Sequence, residues 1–109
     1  MDDLKLPIVV TLKRSITLGD ETISELSFDE PDLDAQLAFI EFRDEMANPE
    51  EPTELESMLA MRFWISRLAG VSEAAAGKIK DSDTEAVNTT VANILGFVEG
   101  KDPGNGEAA

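Results

Sequence analysis

Apolar and polar residues alternate at the start of the chain. Ile8, Val10 and Leu12 share one parity, Lys13-Arg14-Ser15 interrupts it, and Ile16 and Leu18 resume it. Period-two alternation of β-branched residues predicts a half-buried strand. Gly19-Asp20 then suits a tight II′ turn, which needs a glycine at its first central position. Leu26 and Phe28 alternate in the following run, while Ile23 falls out of phase with them, so a bulge is expected near Ser24-Glu25. The pattern predicts a β-hairpin of Ile8–Leu18 and Glu21–Phe28.

The period then lengthens. Leu33, Leu37 and Ile40, with Phe39, Phe42 and Met46 beside them, have helical spacing. Pro31 ends the strand, and Asp32 offers an N-cap oxygen to the free N–H groups of the first turn. Asp32 and Asp34 also lie at the positive end of the helix dipole. Pro49 and Pro52 break the helix. Thr53-Glu54-Leu55-Glu56 reads as a capping box opening a second helix to about Ala69, with Gly70 as its C′ residue. This helix is apolar almost all round: Leu55, Met58, Leu59, Met61, Phe63, Trp64, Ile65 and Leu68. Such a helix is central to a core or turns one side to a partner. Ser72 to Lys80 reads as a short helix weakened by Gly77. Ser82-Asp83-Thr84-Glu85 offers another capping box, and Val87, Val91, Ile94, Leu95 and Val98 mark a last amphipathic helix. Residues 100–109 lack periodicity and are expected to be a disordered tail. The fold class expected is α+β, a single small domain over residues 1–99 with an N-terminal hairpin and three to four helices.

Composition narrows the chemistry. The 109 residues include no Cys, His or Tyr. Disulfides, Cys/His zinc sites, the Ser-His-Asp triad and imidazole acid–base catalysis are thereby excluded. Nine Lys and Arg stand against 23 Asp and Glu, for a net charge of −14. That charge repels phosphate and disfavours nucleic acid and anionic membranes as partners. It is also uneven. Residues 29–56 hold 11 acids against Arg43 alone, a net of −10 in 28 positions. No apolar run approaches the roughly 18–20 residues of a membrane span, and the acidic start is unlike a signal peptide, so a soluble cytosolic protein is expected. In that setting the Asn88-Thr89-Thr90 glycosylation sequon is incidental.

The carboxylates do not form a recognisable catalytic set. They lack a neighbouring nucleophile–base pair or a phosphate-cradling glycine loop, and charge runs ordinarily face water. Asp81-Ser82-Asp83-Thr84-Glu85 alternates carboxylates as calcium loops do, but Ala86 stands where that loop needs glycine, so capping is the better reading. Accordingly no catalytic residue, metal site or cofactor is expected. The acidic 29–56 segment reads as solubilising surface, with mimicry of the DNA phosphate array or the binding of a basic partner as alternatives. The stronger functional signal is the 55–68 helix, whose methionines and sole tryptophan suit an adaptable apolar contact. Leu55, Met58, Met61, Phe63 and Trp64 are the candidate partner-binding residues, although a small helical domain also needs a central helix of this kind.

The order of elements and several motifs resemble a known family. The stretch from Leu12 to Asp32 is similar to the opening of the small tail assembly chaperones of long-tailed bacteriophages, particularly Mu-like phages and related contractile-tailed prophages. Those chaperones open with a strand, a turn, an I-x-x-L strand and an x-x-P lead into a helix, matched here by Ile23-Ser24-Glu25-Leu26 and Glu30-Pro31. Arg67-Leu68-Ala69-Gly70-Val71-Ser72 resembles their joint between helices, and Asp83 with Ile94-Leu95-Gly96-Phe97 fits their closing helix. The resemblance covers roughly residues 8–98. It departs at Ser15, where those proteins usually have Pro, and at the acidic, Pro-rich joint of 48–52.

The resemblance implies a non-enzymatic protein of the host cytoplasm that is not retained in the mature virion. It would hold the tape measure protein soluble and help recruit the tail tube protein. Many such chaperones also have a longer, frameshifted form. The exposed hairpin edges and the apolar helix are in addition surfaces through which copies could form a homo-oligomer. An alternative rests on charge alone: an acidic protein-binding inhibitor, such as a DNA-mimic antirestriction or immunity-type protein. Mimics should spread carboxylates over the fold, whereas here they concentrate in 29–56.

Overall fold

The computed structural model describes residues 5–98, with side chains as far as Gly96. The expected tail at 100–109 lies outside the described residues. The chain forms a single small α+β domain, a two-stranded antiparallel hairpin followed by four helices. These are β1 (Ile8–Leu18), β2 (Glu21–Phe28), α1 (Leu33–Asp44), α2 (Glu54–Ala69), α3 (Glu73–Ala76) and α4 (Asp81–Val98).

Both strands have the bounds that the alternation predicts. Gly19 takes the left-handed conformation at the turn, with φ of 63°. Leu12, Ile16, Leu26 and Phe28 are buried on one face of the hairpin, while Val9, Thr11, Thr17, Glu25 and Ser27 point to solvent. The irregularity lies on the other strand from the one expected. Thr11 pairs with Glu25 and Ile16 with Ile23, so the four residues Leu12 to Ser15 face Ser24 alone. The bulge therefore belongs to β1 and not to Ser24-Glu25. The register moves by three, an odd number, and this sets Ile23 opposite buried Ile16 although its parity in β2 is wrong. The Lys13-Arg14-Ser15 interruption was the sequence mark of this feature.

A bulge of this size leaves backbone N–H groups without ladder partners, and they must be satisfied elsewhere. Asp83 does so. The Lys13 N–H donates to its Oδ1 at 2.8 Å and the Arg14 N–H to its Oδ2 at 3.0 Å. Asp83 is 3% exposed and stands at the head of the stripe Val87, Val91 and Ile94, all buried. The expected capping box at Ser82–Glu85 is corrected accordingly. The helix has already begun at Asp81, so Ser82 lies inside it, and the Asp83 carboxylate faces β1.

The other caps form as the sequence indicates. Asp32 accepts from the Ala35 N–H at 2.8 Å. At α2 the Thr53 hydroxyl accepts from the Glu56 N–H at 3.1 Å, and the Glu56 carboxylate accepts from the Thr53 N–H at 2.9 Å. Gly70 closes α2 with φ of 69°. Ser72 caps α3, which ends at Ala76 before Gly77 and is shorter than the expected 72–80 segment. The Asp29 N–H donates to the Leu68 carbonyl at 3.0 Å, tying the end of β2 to α2. The core sits between the buried hairpin face, Ile65 and Leu68 of α2, Ala76 of α3, and the α4 stripe.

The two backbone donations hold the Asp83 carboxyl below its ordinary pKa, with Lys13 and Arg14 charges adding a smaller effect. A depressed carboxyl stabilises the fold above the ordinary carboxylate range and ceases to do so as pH falls through its folded value. Asp83→Ala should strand both N–H groups and lower the melting temperature at neutral pH by on the order of 10 °C. The difference between variant and parent should narrow on acidification to about pH 2.5. Thermal unfolding followed by circular dichroism at both pH values checks this. An undiminished difference in acid would refute the ionic part of the argument.

Candidate functional site

The five candidate contact residues of α2 do not share one surface. Leu55 and Met58, in the first two turns, are 67% and 55% exposed. Met61 and Trp64 are half-buried and pack against the core. Phe63 is 5% exposed and is therefore a packing residue, which corrects its assignment to a contact surface. It belongs to an aromatic cluster that docks α1 onto α2. Its ring centroid lies 5.5 Å from Phe42, 5.7 Å from Phe39 and 5.3 Å from Trp64. Phe39 in turn lies 4.9 Å from Trp64 and 5.8 Å from Phe42. The Arg67 guanidinium sits over the outer side of the cluster, 5.3 Å from the Phe63 centroid. Aromatic pairs at such distances add about 0.5–1.5 kcal/mol each beyond the area they bury.

This docking decides which way α1 faces. Ala35 is buried, and Phe39 and Phe42 turn inward with it. At 3.6 residues per turn, Leu33, Leu37 and Ile40 then project from the opposite side. They are 69%, 52% and 43% exposed. The helix thus has two apolar faces, one spent on the core and one in water. Asp44 continues the outward line. Asp34 and Glu41 flank it on one side, Gln36 and Arg43 on the other, as the helical spacing requires. The carboxylates of the 29–56 segment are exposed, apart from half-buried Glu56.

Two open grooves adjoin these residues. One, of about 390 Å³, lies between α1, α2 and the far part of α4 and is lined by Pro31, Gln36, Phe39, Ile40, Arg43, Trp64 and Leu95. The other, of about 310 Å³, lies between α2, α3 and the start of α4; Met58, Met61, Ile65 and Ile79 line it, with Arg62 and Asp81 among its polar residues. Arg62 also pairs with Glu73 across 3.7 Å of exposed surface, a contact of small energetic weight. By contrast, the outward positions of α4 past its first turn are small or polar: Ala86, Asn88, Thr89, Ala92 and Asn93. Among the described residues, the large exposed apolar side chains are Val9, the α1 trio, Leu55 and Met58. Sequence reasoning found the α1 trio as helical spacing but did not assign it to a surface, because the aromatic residues interleaved with it carry the same hydrophobic signal.

No described helix is long and apolar enough to cross a membrane. No protein-family model, no curated protein and no solved structure matches the chain.

The division between packing and surface residues is measurable. Phe63→Ala should cost about 3–5 kcal/mol, as expected for a buried aromatic side chain. A Leu55→Ser, Met58→Ser double variant should stay within about 1 kcal/mol of the parent, because both side chains already meet water. Urea denaturation of the two variants tests this, and a Phe63→Ala variant as stable as the parent would show that the aromatic cluster does not hold α1.

Proposed function

We propose that this protein is a non-catalytic tail assembly chaperone of the kind found in Mu-like and related contractile-tailed phages. On this reading it binds the tape measure protein in the host cytoplasm, helps recruit tail tube subunits, and leaves before the virion is complete. The observation that carries the reading is the outward apolar line Leu33–Leu37–Ile40 on a helix set within the most acidic part of the chain.

The physical task of such a chaperone has two parts. It must cover apolar segments of an aggregation-prone client, and it must keep the resulting complex dispersed. Exposed leucine and isoleucine side chains serve the first part, since apolar area removed from water yields roughly 25 cal/mol per Å². Surplus negative charge serves the second. The order of a hairpin followed by helices agrees with the order of motifs on which the resemblance rests. The concentration of carboxylates around α1 favours this reading over a DNA mimic, which would distribute them across the fold.

Co-expression tests the proposal. The cognate tape measure protein should pass from the pellet to the soluble fraction when both are made, and should co-purify with this protein. A tape measure protein that stays equally insoluble with and without it would remove the reading. So would turnover of a substrate by the purified chain.

A further inference from the structure

We propose that the outward face of α1 is the seat of a basic amphipathic α-helix from a partner protein. The inference rests on the partner-binding reading above and adds the chemistry of the partner.

The shape of the face comes first. Leu33, Leu37 and Ile40 follow i, i+4, i+7 and span about 10 Å along the axis. A line of that length is matched by two to three turns of another helix whose apolar residues have the same spacing, the usual helix-on-helix arrangement. Ile40 is also part of the rim of the 390 Å³ groove, whose floor includes Phe39, Trp64 and Leu95. A large apolar side chain of the incoming helix therefore has a place to insert beside the line. That gives the face a centre, where binding energy concentrates.

Charge then selects the occupant. Asp34, Glu41 and Asp44 border the line, and the surrounding 29–56 segment carries a net −10. A second copy of this chain would bring another such segment to within the 8–10 Å of packed helix axes, about one Debye length at physiological salt. Like-charge contact of this kind is unfavourable, as is an acidic partner. A helix with Lys and Arg beside its apolar stripe reverses every one of these interactions. Arg43, on the groove side, is the single opposing charge and leaves the Asp34–Glu41 side as the one for the partner's basic edge.

The experiment uses the full chain and two synthetic 20-residue helical peptides without tryptophan. Both carry leucines at i, i+4, i+7; one has lysine flanks and the other glutamate flanks. Trp64 is the sole tryptophan and lines the groove, so its fluorescence reports occupancy. The lysine peptide should bind at least about tenfold more tightly than the glutamate peptide, and raising salt from about 0.05 to 0.5 M should weaken it. A Leu37→Gln, Ile40→Gln double variant should lose at least tenfold in affinity while its melting temperature stays near the parent's, since both residues are exposed. Asp34→Asn with Glu41→Gln should reduce the preference for lysine flanks without abolishing binding.

Equal binding of the two peptides would overturn the proposal, as would unchanged affinity in the Leu37/Ile40 variant. A parent chain that is dimeric and becomes monomeric in that variant would assign the face to a second copy and overturn it too. The chaperone reading fails separately. Peptide binding at α1 beside a tape measure protein that remains insoluble supports this inference and removes that reading. Solubilisation insensitive to the Leu37/Ile40 variant, with no peptide binding, removes this inference and leaves that reading standing.

Discussion

The fold depends on a carboxylate and two backbone N–H groups separated by 70 and 69 residues of chain. β1 departs from its ladder at Leu12–Ser15, and the departure leaves the part-buried N–H groups of Lys13 and Arg14 without strand partners. Asp83 meets them with both oxygens. The bargain is mutual. A carboxylate that is almost wholly shielded from water needs donors as much as the bulge needs an acceptor. Because Asp83 shares a helical face with Val87, Val91 and Ile94, satisfying it also places that stripe against the hairpin. The same contact that repairs the strand therefore fixes the position of the last helix.

A second constraint acts on α1. Its hold on the rest of the domain runs through Phe39 and Phe42 against Phe63 and Trp64. Rings are large enough for two or three residues to anchor a 12-residue helix, which leaves its leucines free. An ordinary amphipathic helix turns its aliphatic line inward and its polar residues outward. Here the aliphatic line is outward, in a chain whose surplus charge offsets the tendency of such a surface to self-associate. The functional proposal follows from that combination, and it assigns α1, in place of the middle of α2, as the principal contact helix.

Much of this architecture was legible in the sequence because it depends on local chemistry. Strand alternation, Gly19 at the turn, Asp32, Thr53 and Ser72 at helix starts and Gly70 at a helix end all act within a few residues. The site was legible only in part. Of the five residues expected to contact a partner, Leu55 and Met58 are exposed, Phe63 is packed inside, and Met61 and Trp64 are half-buried against the core. A helix that is apolar all round does not reveal which side meets water, since hydrophobicity has no direction until neighbours are placed.

Periodicity, capping residues and turn chemistry thus determined the elements and their order from the chain alone, since each is settled by groups close in sequence. Composition alone also removed histidine and cysteine chemistry. Tertiary structure decided which strand carries the bulge, what Asp83 serves, and which side of α1 faces outward. Each of those depends on a partner brought from far along the chain: Lys13 and Arg14 for Asp83, and the rings of α2 for Phe39 and Phe42. The residues involved were visible in the sequence as an interrupted strand, an acid within an expected capping box and an excess of apolar positions. Their pairing arises only when folding brings distant parts of the chain side by side.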